Sequence, residues 1–188
     1  MTKFVLHGGR VKETSKDNDG FLAEITKGFT GKTRILLNYF AREDRENIPV
    51  WFKKDCARIR KNSKNKDLTF EIATSERISR QLKRADIMYV AGGSTFVLLK
   101  AMKKVRNFKN LIKEKVIAGT SAGAYFACKY FYENDNKKLG KGLGILNFKI
   151  TGHFRQKRQK PLRVLSQYKE NLSIIILPEK KYVVIQNG

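Results

Sequence analysis

The sequence predicts an α/β fold in which a parallel β-sheet carries helices on both of its faces. Short apolar runs alternate with amphipathic stretches through residues 3–120. The runs have the length of buried strands, and the stretches between them repeat apolar residues at helical spacing. Such a strand–helix alternation is typical of a parallel sheet covered on both faces. Functional groups in these sheets collect at the carboxyl ends of the strands.

Five segments of the first two thirds of the chain are predicted to be buried strands, because each is apolar and bounded by polar residues or glycine. They are KFVLH (3–7), RILLNYF (34–40), LTFEIA (68–73), DIMYVA (86–91) and KVIAGT (115–120). Four helices are predicted between them. They cover residues 20–29, residues 50–60, a segment that begins after SERI (75–78), and residues 94–102.

The last third of the chain follows a different pattern. We expect a helix from residue 122 to about residue 131, then a strand at FKITGHF (148–154). Residues 161–168 are predicted to form a helix that begins at proline, a favoured first position. SIIILPE (173–179) and YVVIQ (182–186) are predicted as a closing pair of strands joined by a turn. The length favours one domain over residues 1–188.

The chain is strongly basic, with 40 Lys and Arg against 17 Asp and Glu and a net charge of +23. The lysines are spread through nearly every segment, and no RNA-binding motif with stacked aromatic residues is present. We therefore expect loose electrostatic binding of nucleic acid at low salt, with no specific nucleic-acid partner. The alternative is a basic scaffold without catalytic activity that binds nucleic acid or an acidic partner.

The lengths of the apolar runs and the number and spacing of the cysteines argue against several other classes of protein. No run of about 18 apolar residues occurs, and the apolar stretch at the N-terminus is too short for a signal peptide. These features predict a cytoplasmic protein without a membrane partner. Cys56 and Cys128 are too few and too far apart for a disulfide framework or a zinc site. We expect neither a metal nor another cofactor.

The motif GTSAG (119–123) places a serine between two glycines, where a strand passes into a helix. This G-x-S-x-G pattern is typical of a nucleophile elbow, a strained turn that lifts the serine hydroxyl out of the sheet. Ser121 is then the candidate nucleophile. The backbone N–H of Ala122, at the positive end of the following helix, is a candidate oxyanion donor. The alternative is a tight turn with an inert serine.

A serine nucleophile needs a base, and the chain has only two histidines, His7 and His153, each at the end of a predicted strand. A third group must orient the imidazole, and Asp135 and Glu179 both lie in predicted loops after Ser121. A second glycine pair, in VAGGST (90–95), lies in another turn between a strand and a helix. The N–H of Gly93 in that turn is the candidate second oxyanion donor.

Four motifs in this order and spacing, AGGSTF, GTSAGA, ITGHF and ILPE, resemble the serine peptidases of the peptidase E and cyanophycinase group. The family's glycine loop reads GGGNT or similar, its elbow G-[WTS]-S-A-G-A, its histidine motif P-H-F and its late motif L-P-E-G. The resemblance covers nearly the whole chain. This sequence departs from it at Ala91, Ser94 and Gly152.

The resemblance implies a flavodoxin-like α/β fold, related to that of class I glutamine amidotransferases, and hydrolysis of short peptides after aspartate. It implies Ser121 as nucleophile and His153 as base. Asp135, in an N-D pair, is the first choice for the orienting acid. Glu179 is expected beside it, for instance holding the substrate's amino group. Arg158 is expected to bind the substrate's aspartate carboxylate, because arginine pairs with a carboxylate through two hydrogen bonds; Arg155 and Arg163 are the alternatives.

Other activities stay open beside an aspartyl dipeptidase. A β-aspartyl peptidase of the cyanophycinase type fits the same motifs. An α/β-hydrolase esterase has a compatible chain order of serine, acid and histidine, but it usually carries its elbow early, whereas five predicted strands precede Ser121. Glutamine amidotransferases need cysteine at this position. The expected partner is a short peptide containing aspartate, and a homodimer is an alternative to a monomer.

Overall fold

The computed structural model describes residues 1–154 and 160–187. Six of the described strands form one sheet in the order β10-β1-β5-β4-β2-β3. Five of them are parallel, and β10 pairs antiparallel with β1 at the edge. Their bounds are β1 (Thr2–His7), β2 (Thr33–Asn38), β3 (Leu68–Ile72), β4 (Ile87–Val90), β5 (Val116–Thr120) and β10 (Tyr182–Asn187).

Helices cover both faces of this sheet, as the alternating pattern predicts. One face packs against α1 (Lys16–Thr26) and α2 (Ile48–Asn62) through Phe21, Ile25 and Ile59. The other face packs against α3 (Ile78–Arg84), α4 (Thr95–Met102), α5 (Phe108–Leu111) and the single turn α6 (Ala122–Tyr125). The strands β1, β4 and β5 are buried from both sides, which explains their continuous apolar runs.

A second sheet has the order β7-β6-β8-β9, with β8 parallel to both β6 and β9. Its strands are β6 (Cys128–Glu133), β7 (Lys138–Lys141), β8 (Leu146–Phe154) and β9 (Ile174–Pro178). The helix α7 (Lys160–Gln167) connects β8 to β9 and is tied to β8 by the buried Lys149, whose ammonium donates to the carbonyl of Leu165 at 2.6 Å.

Two expectations from the sequence are wrong. The helix predicted from residue 122 to about residue 131 ends at Tyr125, and residues 128–133 form β6 instead. This segment, CKYFYE, has three consecutive aromatic residues with high strand propensity, and its pairing with β7 and β8 outweighs the helical pattern. The segments predicted as a closing strand pair are β9 and β10, which belong to different sheets.

The described helices include none that is long and apolar enough to cross a membrane.

Candidate active site

Ser121 lies at the carboxyl end of β5 in a backbone conformation that non-glycine residues rarely adopt. Its φ is 53° and its ψ is −111°. The turn is fixed to the end of β1, because the Ser121 N–H donates to the carbonyl of His7 at 2.9 Å. Such strain persists only where the surroundings enforce it, and it is typical of a nucleophile elbow.

Both glycines of the elbow are required by close backbone contacts. A Cβ on Gly119 would lie 1.9 Å from the carbonyl oxygen of Gly123. A Cβ on Gly123 would lie 2.2 Å from the carbonyl oxygen of Val90 in the neighbouring strand. No side chain fits at either position. The two glycines are needed because the turn packs against β4 and because Gly119 and Gly123 approach each other closely.

The candidate base is placed by β8 of the second sheet. His153 lies near the end of that strand, and its Nε2 is 3.0 Å from the Oγ of Ser121. Its backbone has a φ of 49°, and its N–H donates to the carbonyl of Gly8 at 2.8 Å. The imidazole is therefore within hydrogen-bond reach of the serine hydroxyl, as a general base must be.

Gly152 explains one departure from the family's motif. Its N–H donates to the hydroxyl of Tyr125 at 3.0 Å, and a Cβ on Gly152 would lie 2.7 Å from that same hydroxyl. Proline, which the family carries at this position, has no N–H to donate. The Tyr125 side chain is buried and stacks on Phe131, so it supports the peptide that precedes His153.

His7 is not in contact with the serine hydroxyl. Its side chain is fully buried, its Nδ1 accepts the N–H of Gly9 at 3.1 Å, and its Nε2 lies 2.8 Å from the Oδ1 of Asn18. Burial lowers the pKa of His7 to about 4, so the ring is neutral at pH 7. In this arrangement Nε2 carries the proton and donates to Asn18. The two histidines thus have different environments, and only His153 faces Ser121.

The two candidate carboxylates approach different nitrogens of His153. The Oε1 of Glu179 is 3.4 Å from Nδ1, whereas the Oδ2 of Asp135 is 3.9 Å from Nε2, the nitrogen that faces Ser121. The Asp135 side chain is 70% exposed and that of Glu179 is 22% exposed. An orienting acid must bind the nitrogen opposite the nucleophile. The geometry therefore favours Glu179, and the sequence-based preference for Asp135 is not supported.

Two backbone N–H groups near Ser121 are available as oxyanion donors. Those of Gly93 and Ala122 donate no hydrogen bond to another group in the described part of the chain. The loop of Gly93 reaches the elbow directly, since a Cβ on Gly92 would lie 3.3 Å from the Cβ of Ser121. Because α6 has only four residues, the helix-dipole contribution expected from the sequence is small, and the N–H groups themselves must supply the stabilisation.

The expected carboxylate-binding arginine, Arg158, lies outside the described residues, as does Arg155. Arg163, the third candidate, lies on the exposed side of α7. No group of three metal-ligating side chains occurs in residues 1–154 and 160–187.

Sequence reasoning missed Arg10. Its Nε is 3.1 Å from the Oε2 of Glu179, the oxygen that does not face His153. The signal was present in the segment HGGR (7–10), which follows the first strand and contains two adjacent glycines. Glycine pairs at the carboxyl end of a parallel strand indicate close approach of other elements, and here the approaching elements carry His153 and Glu179.

Comparisons with known proteins identify a peptidase family and a similar fold. A model of peptidase family S51 matches residues 13–188. A peptidase from an acI-B1 Actinobacterium has a similar structure, with a TM-score of 0.72 and 18% identity over 100% of this chain and 84% of that chain. A candidate peptidase E protein from Listeria monocytogenes EGD-e has a TM-score of 0.63 and 16% identity over 100% of both chains. No curated protein matches the sequence.

Proposed function

Because the chain belongs to peptidase family S51, we propose that it is a serine peptidase that hydrolyses short peptides after aspartate. The carrying observation is the series of contacts from Ser121 Oγ to His153 Nε2 at 3.0 Å and from His153 Nδ1 to Glu179 Oε1 at 3.4 Å. A hydroxyl, an imidazole and a carboxylate in this order form the constellation that activates serine for acyl transfer.

Each residue has a definite role in the proposed reaction. The Ser121 oxygen attacks the scissile carbonyl while its proton passes to Nε2 of His153, and Glu179 stabilises the imidazolium that forms. The carbonyl oxygen becomes an oxyanion and accepts hydrogen bonds from the N–H groups of Ala122 and Gly93. His153 then donates its proton to the leaving amine. A water molecule, activated by the same imidazole, hydrolyses the acyl-enzyme and restores Ser121.

The preference for aspartate is supported by the four motifs that resemble those of peptidase E. A substrate carboxylate beside the scissile bond requires a cation in the site, and Arg158, in the segment between β8 and α7, is proposed for this role. A site built around such a cation discriminates against peptides without the carboxylate, because its own charge is then left unpaired.

The test is a screen of Asp-X, Asn-X and β-aspartyl dipeptides with the wild type, Ser121→Ala and the control Ser166→Ala, an exposed serine on α7. We expect cleavage of Asp-X peptides by the wild type and the control, and none by Ser121→Ala. Cleavage confined to β-aspartyl peptides would replace the proposed substrate class with a cyanophycinase-like one. Equal cleavage of Asn-X and Asp-X peptides would show that the site does not recognise the aspartate carboxylate of the substrate.

A second readout does not depend on the substrate. A fluorophosphonate reagent reacts preferentially with an activated serine, and intact-mass and peptide-mass measurements locate the modification. We expect stoichiometric labelling at Ser121 in the wild type and no labelling in His153→Ala. A wild-type chain that neither reacts with the reagent nor cleaves any peptide would refute the proposed peptidase activity.

A further inference from the structure

The loop between β1 and α1 lies directly against the catalytic histidine of the proposed reaction. The carbonyl of Gly8 accepts the His153 N–H at 2.8 Å. A Cβ on Gly9 would lie 2.1 Å from the ring carbon Cε1 of His153, so only a hydrogen atom fits between this backbone and the imidazole. The carbonyl of Gly9 also accepts the N–H of Lys180, the residue after Glu179, at 3.0 Å. The loop therefore contacts the histidine and the segment that carries its carboxylate.

Arg10, the next residue of this loop, binds that carboxylate. Its Nε lies 3.1 Å from Oε2 of Glu179, while Oε1 of the same carboxylate lies 3.4 Å from Nδ1 of His153. Its Nη1 lies 3.2 Å from Oε1 of Glu13. Among the described residues, one oxygen of Glu179 contacts the Arg10 guanidinium and the other contacts the His153 imidazole. Rotation of the carboxylate away from His153 would break the charge-assisted contact with Arg10.

The backbone of Arg10 is held in an uncommon conformation by a buried network. Its φ is 57°, and its carbonyl accepts a hydrogen bond from the side-chain amide of Asn18 at 3.0 Å. Asn18 is buried and is bound in turn by the ring of His7 at 2.8 Å. The other ring nitrogen of His7 accepts the Gly9 N–H. The neutral His7 ring, which contacts Asn18 and Gly9, therefore helps to order the loop that presents Arg10.

We propose that Arg10 is a positioning residue that holds Glu179 in the orientation in which it binds His153. The inference rests on the proposed function, because it assigns to Arg10 an effect on the same serine, histidine and glutamate. Arg10 acts through Glu179 and contacts neither Ser121 nor His153. Its side chain is 46% exposed, so its effect comes from geometry and from a directed hydrogen bond rather than from a buried charge. Misplaced catalytic groups slow a reaction without weakening substrate binding.

A double-mutant cycle tests this role. The variants are Arg10→Ala, Glu179→Gln and the combination, and the readouts are kcat, KM and the rate at which a fluorophosphonate modifies Ser121. We expect Arg10→Ala to lower kcat and the modification rate by roughly 10- to 100-fold, with KM changed less than about threefold. In the Glu179→Gln background the same substitution should have an effect of less than about twofold, because the carboxylate that it positions is gone.

Two further variants distinguish a positioning role of Arg10 from an effect on folding and from a general effect of its charge. Arg10→Lys keeps the cation but has no planar guanidinium, so its rate should lie between those of the wild type and Arg10→Ala. Glu13→Gln removes the negative charge that faces Arg10 and Lys180 and leaves the contact between Arg10 and Glu179 in place, so it should retain the wild-type rate to within about twofold. The melting temperature of each variant reports whether the fold persists, and Arg10→Lys carries the test if Arg10→Ala unfolds.

The outcomes distinguish this inference from the proposed function. A wild type that neither reacts at Ser121 nor cleaves any peptide overturns both. A reactive wild type with an unchanged Arg10→Ala rate overturns the role of Arg10 alone. An equal loss in the wild-type and Glu179→Gln backgrounds also overturns it, because Arg10 would then act independently of Glu179. A loss that appears in KM with kcat unchanged assigns Arg10 to substrate binding and overturns positioning.

Discussion

Gly9 lies against the imidazole of His153 so closely that an added Cβ would be 2.1 Å from the ring carbon Cε1. This contact joins the loop after the first strand of the large sheet to the end of β8 in the small sheet. It defines where the ring can lie, since the backbone on one side and the Ser121 hydroxyl at 3.0 Å limit its movement. The two sheets therefore meet at the proposed base.

We predict that Gly9→Ala lowers the rate of Ser121 modification by about 100-fold or more, because the methyl group displaces the ring from Ser121. Part of any loss could come from the backbone, since Gly9 has a φ of +114°. Gly28→Ala is the matched control: its φ is +95°, and nothing lies within 4 Å of the added Cβ. The control should lose stability and keep its activity. Equal loss of activity in both variants would contradict the ring contact.

The assignment of the orienting acid predicts unequal effects of two similar substitutions. Glu179→Gln should lower kcat by roughly 10²- to 10⁴-fold, because an amide cannot stabilise the imidazolium and does not select its tautomer. Asp135→Asn should lower kcat by less than about tenfold, since Asp135 approaches Nε2 from an exposed position. Steady-state kinetics on the best dipeptide decides between them. The reverse order of effects would return the orienting role to Asp135.

The serine and histidine should behave as one unit. Ser121→Ala and His153→Ala should each lower kcat by up to about 10⁶-fold, and the double variant should be no slower than the worse single variant. The reason is that each residue acts only through the other, as their 3.0 Å contact requires. A double variant much slower than both singles, measured in single-turnover assays, would show two independent contributions.

The buried His7 predicts a pH dependence of stability. Its pKa is about 4 in the folded chain against 6.5 for an ordinary histidine, so the unfolded chain binds an extra proton between these values. The stability contributed by the neutral ring is fully present above pH 6.5 and is lost as the pH falls towards 4, by at most about 3 kcal/mol.

Urea unfolding of the wild type and His7→Gln, measured between pH 4.5 and pH 7.5, checks this dependence. The carboxylates of the chain titrate in the same pH range. The informative quantity is therefore the difference between the two proteins in the pH dependence of the free energy of unfolding. We expect the free energy of unfolding to fall less steeply in His7→Gln as the pH is lowered. Identical slopes would mean that His7 is not buried as a neutral ring.

Much of the fold follows from local sequence patterns. The five early strands and four of the helices between them were predicted within a few residues of their bounds, because apolar periodicity and turn residues act over short distances. The short helix α5 was not predicted. The segment 122–131 was mispredicted for the opposite reason. Its strand CKYFYE follows α6 with no glycine or proline between them, so the apolar run fits a continued helix as well as a buried strand, and pairing with β7 and β8 decides the outcome.

The sequence by itself determined the elbow serine and reduced the base to two histidines, because these follow from one local motif and from scarcity. The resemblance of ITGHF to the family's motif already favoured His153 over His7. Only the tertiary structure favoured Glu179 over Asp135 and revealed Arg10. Each of these depends on which atoms face each other across strands that are far apart in the chain. The contact between residues 10 and 179 exists because β10 pairs with β1 while β9 pairs with β8, which brings the turn between β9 and β10 to the loop after β1. Long-range strand pairing has no local signature, so it is decided when the two sheets pack together.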